Sequence, residues 1–170
     1  MLEKFHGENQ ASTLYFQDYT NARRSVFEWW KILWFYIFPT ELLRKLRIEC
    51  LAMQNHKFGI SPKKFLGNAA LSSFFRILTT SKDENGKVYV STVQAYNYPV
   101  TDFQWHPEKN AFEWGLSMIP HSEDAVQVTQ HVATTSSGSK LSYNALWKFG
   151  GRFKVYGAQQ RKEQPKKTVK

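Results

Sequence analysis

Cysteine is almost missing from this chain: among 170 residues only Cys50 carries a thiol. One thiol excludes an internal disulfide and any multi-cysteine metal site. Acid is also scarce, with 14 Asp and Glu against 23 Lys and Arg and a formal charge of +9. That excess is local. From residue 134 onward nine basic residues face Glu163 alone, which leaves +1 for residues 1–133. A body so close to neutral has no electrostatic reason to seek phosphate. Most of the aromatics lie before residue 134, away from that charge, whereas single-strand platforms interleave the two, so no nucleic-acid partner is expected. A long apolar run is missing as well. Residues 26–38 are apolar and aromatic but include Glu28 and Lys31, and they fall short of the ~20 residues a spanning helix needs. No membrane partner is expected. The opening residues, Met1 to Glu8, lack an apolar h-region, so no signal peptide is expected in this chain.

What is present suits one folded body with a core. Pro39 to Ile48 predicts a short amphipathic helix with Leu42, Leu43 and Leu46 on one face and Pro39 at its first position. Residues 50–54 predict a strand that holds Cys50 half-buried, and Asn55 to Gly59 a loop. Ser61-Pro62 marks a turn. Residues 74–80 and 87–95 predict paired strands about Asp83-Glu84-Asn85-Gly86, since Asn-Gly is a strong hairpin signal. Tyr98 to Phe103 predicts a further strand, ended by Pro107. Ser122 is a good N-cap for a helix over 121–133, with Glu123 and Asp124 in its first turn. Thr134 to Ser139 predicts a linker, and the basic stretch 134–170 a disordered tail. The fold class is mixed α/β.

The chemistry concentrates in Phe103-Gln104-Trp105-His106-Pro107-Glu108-Lys109. A histidine with a carboxylate two residues on, at the mouth of a strand, suits a general base and its orienting partner. Ligands and catalytic groups in open α/β sheets gather at the carboxyl ends of strands. Taken alone, His-x-Glu also fits an ordinary surface pair.

The text around it resembles a family. Gln104-Trp105-His106-Pro107-Glu108 is similar to the His-Pro-Glu segment of class I glutamine-amidotransferase-like domains. In family order stand Phe38-Pro39-Thr40-Glu41-Leu42-Leu43, Met53-Gln54-Asn55-His56-Lys57-Phe58-Gly59-Ile60-Ser61-Pro62, Phe74 to Thr80, Ser91 to Gln94, Asn110 to Trp114 and Ile119 to Ala125. Together they resemble the γ-glutamyl hydrolase family, its plant members most, over about residues 38–133.

The resemblance implies the C-terminal portion of a doubly wound, flavodoxin-like domain, incomplete here, occupying residues 1–133. It implies cleavage of γ-glutamyl bonds in folate poly-γ-glutamates by a Cys-His-Glu mechanism without cofactor or metal. On that pattern His106 donates and accepts the proton, Glu108 orients it, and His56 lines the substrate site. A homodimer, or pairing with an intact hydrolase, and a vacuolar or secreted location follow by family.

This chain departs from the pattern in three places. The family's nucleophile sits on a glycine-flanked elbow, and no such motif stands here. Cys50 is flanked by Glu49 and Leu51, so no nucleophile is assigned and the chain alone is expected to be inactive. Residues 18–37, rich in Trp, and residues 134–170 also differ from the family. The alternative reading is a non-catalytic interaction or regulatory protein.

Overall fold

The computed structural model describes residues 2–17, 38–98 and 100–138, with side chains as far as 133. The aromatic segment 18–37 and the tail beyond 138 lie outside the described residues. The elements are β1 (Glu3–Ser12), β2 (Tyr15–Phe16), α1 (Thr40–Ile48), β3 (Ala52–Gly59), α2 (Pro62–Leu66), α3 (Ala69–Phe74), β4 (Phe75–Lys82), β5 (Val88–Ala95), β6 (Thr101–Phe103), α4 (Lys109–Phe112) and α5 (Glu123–Gly138). This is the mixed α/β composition expected. Every ladder among the described residues is antiparallel, in a two-stranded sheet β1-β3 and a four-stranded sheet β2-β4-β5-β6.

Leucine spacing builds α1. Leu42, Leu43 and Leu46 are buried on one face, as expected. Pro39 is the N-cap and not the first helical residue, a shift of one position. With Leu14, Phe38, Leu51, Ala52, Trp105, Ala125, Val128 and Val132 these leucines form the larger core. A second cluster, Ile60, Phe65, Ile77, Val90 and Val93, lies under α2 and α3.

The β4–β5 hairpin forms where expected. Gly86 adopts φ 75°, a left-handed conformation in which a side chain would be strained. Asp83 secures the turn: its carboxylate accepts from the backbone N–H groups of Asn85 and Lys87 at 3.0 and 2.8 Å and from His6 at 3.0 Å. It thus ties β1 to the hairpin. Within the hairpin, Leu78 on β4 and Ser91 on β5 are extra residues at two successive register shifts. Between them Thr79 and Thr92 pair, their hydroxyls 2.7 Å apart.

Several expectations need correction. Asn55 to Gly59 is not a loop, because β3 runs through it, paired with β1 from Glu3↔Gly59 to Ser12↔Ala52. Cys50 is neither half-buried nor in a strand: it is exposed, ahead of β3. Ser61-Pro62 starts α2, with Pro62 in its first turn. The strand before His106 is three residues long and ends at Phe103, so Pro107 does not end it. Ser122 does cap α5, its hydroxyl accepting from the Ala125 N–H at 3.3 Å. That helix continues to Gly138, so the linker expected from 134 begins as helix.

Candidate active site

His106 is placed by the backbone. After β6 the chain crosses between the two sheets: the Gln104 N–H donates to the Ser91 carbonyl on β5, and the His106 N–H to the Met53 carbonyl on β3, both at 2.8 Å. Side chains lock the crossing. Trp105 is buried, and its indole N–H donates to the Thr92 hydroxyl at 3.0 Å. Gln104 is buried too, its amide donating to the Phe58 carbonyl at 2.9 Å. The Pro107 carbonyl accepts from the Thr129 hydroxyl, which anchors the far side to α5. A polar segment between two sheets is thereby left few ways to move.

His106 and Glu108 meet. The ring Nδ1 lies 3.0 Å from Glu108 Oε1. Glu108 opens α4, and its side chain is about half exposed while that of His106 is less so. Partial desolvation acts to raise the Glu108 carboxyl, but the hydrogen bond to His106 and the nearby Lys109 charge hold it below its ordinary value. An ionised Glu108 fixes a proton on Nδ1 and leaves Nε2 to accept or deliver another. This is the arrangement a general base and general acid need.

His56 lies inside β3, facing Gly7 of β1 across the ladder. A Cβ on Gly7 would fall 2.9 Å from the imidazole, so that glycine makes room for the ring. Tyr89 of β5 meets the ring edge-on at a centroid distance of 4.7 Å. Burial, and then the His106 charge, push His56 down to about 4, against a weaker pull from Asp83, so its ring is neutral near pH 7. The His106 influence places the two histidines within electrostatic reach of each other. Gly7, Gln54 and Tyr89 escaped the sequence reading. Gly7 leaves no hydrophobic signal, and the other two resemble ordinary strand residues.

Among the described residues no group of three or more His, Cys, Asp or Glu is placed to hold a metal ion. Nor is any described helix long and apolar enough to cross a membrane.

No protein-family model matches the chain. Curated proteins do. Gamma-glutamyl hydrolase 2 of Arabidopsis thaliana is 60% identical over 133 residues, 78% of this chain and 36% of that protein. Gamma-glutamyl hydrolase of Glycine max is 45% identical over 134 residues, again 78% of this chain and 37% of that one. The Homo sapiens protein is 45% identical over 98 residues, 56% of this chain and 30% of its own length. The chain therefore spans little more than a third of the plant relatives it matches.

The chain is of mixed α/β structure and is similar in sequence to part of a class of hydrolases. More particularly, it is homologous to γ-glutamyl hydrolase and resembles a portion of that enzyme.

Proposed function

We propose that the chain is the C-terminal portion of a γ-glutamyl hydrolase and carries its proton-transfer machinery, for folate poly-γ-glutamate substrates. The hydrogen bond between His106 and Glu108, in a chain homologous to these enzymes, carries the reading. In the complete reaction a cysteine thiolate attacks the γ-glutamyl carbonyl. His106 takes the thiol proton and returns it to the leaving amine, while Glu108 holds the imidazolium in place. Water then hydrolyses the thioester by the same proton route. His56, neutral and beside this pair, lines the substrate position. No cofactor is required. The antiparallel sheets described here belong to a larger doubly wound, flavodoxin-like domain, and the enzyme acts in the vacuole or outside the cell.

The attacking group lies outside this polypeptide. Cys50, exposed and lacking flanking glycines, does not supply it. The full chain assayed on a folate poly-γ-glutamate is expected to show no turnover. Turnover abolished by Cys50→Ala would overturn that assignment. Adding a separately expressed segment that bears a cysteine elbow should restore turnover, and His106→Ala should remove it again.

A second reading has its own support. In the described structure β1 and β3 each pair on one side only, and β2 and β6 end their sheet. Unpaired edges are templates for another chain. The protein would then be a non-catalytic partner, pairing with an intact hydrolase or with itself. Copurification with the intact hydrolase, without any change in its turnover on adding His106→Ala, favours this reading.

A further inference from the structure

Behind His56 stands a short buried relay. Gln54 is two residues earlier on β3 and fully buried. Its amide oxygen lies 3.0 Å from His56 Nε2. Its amide nitrogen donates at 3.0 Å to the hydroxyl of Ser12, the last residue of β1. The Ser12 hydroxyl donates in turn to the Ala52 carbonyl at 3.5 Å, across the same ladder. Ser12, Ala52 and Gln54 are all buried, so water does not compete for these groups.

The direction of this relay matters. A serine hydroxyl has one proton to give and two lone pairs to accept with. With its proton spent on Ala52, Ser12 accepts from Gln54, and that sets which end of the amide turns to the ring. The oxygen faces His56, so the proton belongs on Nε2. Nδ1 is then the lone-pair nitrogen, and it is buried without a hydrogen-bond partner among the described residues.

We infer that Gln54, held by Ser12, is a positioning residue that fixes His56 as the Nε2–H tautomer with Nδ1 as its acceptor. The two histidines of the site are thus set oppositely. Glu108 draws a proton to Nδ1 of His106, and Gln54 draws one to Nε2 of His56. The surroundings agree with a neutral ring: Gly7 faces it from β1, Tyr89 from β5, and among the described residues no carboxylate is hydrogen-bonded to it. What His56 contributes to substrate rests on the γ-glutamyl hydrolase reading. The tautomer does not.

The test reads the ring directly, without turnover. Long-range nitrogen–proton NMR of the full chain, 15N-labelled on histidine, distinguishes the protonated from the lone-pair nitrogen of His56 at pH 7. The expected result is a protonated Nε2 and a lone-pair Nδ1. Gln54→Leu and Ser12→Ala should each bring the two nitrogens towards averaged shifts. Ser12→Thr, which keeps the hydroxyl, should restore the parent pattern, and Gln54→Glu should keep Nε2 protonated. A protonated Nδ1 in the parent chain overturns the inference. So does an unchanged tautomer in Gln54→Leu. Neither outcome bears on whether the family assignment or the absence of activity is right.

Discussion

His106 and Glu108, two residues apart, face each other with Nδ1 and Oε1 separated by 3.0 Å, although Pro107 lies between them. Proline leaves only one soft backbone angle at its position. The Pro107 carbonyl is tied to Thr129 on α5. The pair is therefore presented by a stiff segment anchored on both sides.

That pairing should be visible in the carboxylate. In His106→Ala the hydrogen bond that holds Glu108 down is gone while partial desolvation remains. Its titration, followed by carbon NMR of labelled glutamate, should move upward. An unmoved Glu108 would mean that the 3.0 Å contact is not populated in solution.

His56 predicts an acid-sensitive fold. Its folded value of about 4 lies below the ordinary value of 6.5, so the unfolded chain binds the proton first as pH falls. Its contribution is complete above the unfolded value and shrinks as pH drops from about 6.5 towards 4. At about 1.4 kcal/mol per unit the loss is roughly 3 kcal/mol. Urea titrations at pH 7 and 4.5 should show the parent losing more stability than His56→Gln. Equal losses would remove His56 as the cause.

Asp83 predicts a break between β1 and the hairpin. Three backbone N–H groups donate to its carboxylate. Desolvation works to raise its pKa, yet those donors hold it below the ordinary value. Its stabilisation is present above the unfolded value and is lost as pH falls through the lower folded one. Asp83→Ala leaves three partly exposed backbone donors without their acceptor and should cost about 1–2 kcal/mol. Hydrogen exchange at the His6 and Lys87 amides should quicken together, and protection retained at His6 would contradict the shared anchor.

Between α1 and α5 packing should outweigh charge. Leu46 is completely buried, whereas Lys45 and Asp124 form a 2.7 Å ion pair with about a quarter of each side chain exposed. Leu46→Ala should cost about 2–5 kcal/mol and Lys45→Ala about 1 or less, read by chemical denaturation. Reversed sizes would show that the helices are held mainly by the ion pair.

The sequence revealed elements whose signal is local. Three leucines on one face, Asn85-Gly86 and the Ser122 cap each specify their element within a few residues. β1 was not legible in the same way. Its buried positions are Phe5, Gly7 and Ser12, and only one of these is apolar. Asn55 to Gly59 reads as a loop by composition and becomes a strand only because β1 pairs with it. The Cys50 reading failed because an isolated cysteine is usually buried, whereas this one sits on the exposed connection from α1 to β3. At the site, His106 and Glu108 were legible because they are neighbours in sequence. The relay behind His56 was not, since Ser12 and Gln54 are 42 residues apart and meet only across the ladder.

The two extra residues of the β4–β5 hairpin cancel. Phe75↔Ala95 and Lys82↔Val88 obey one register, and only Thr79↔Thr92 between them is offset by a step. Deleting either Leu78 or Ser91 alone would remove one bulge and keep the pairs that flank it, so the remaining bulge alone would carry a one-residue difference in strand length. Loss of both would leave the hairpin in register and remove only the step that sets Thr92 under Trp105. The two opposed bulges therefore keep the strands equal in length, and only the matched loss of both residues leaves a plain, unbulged ladder.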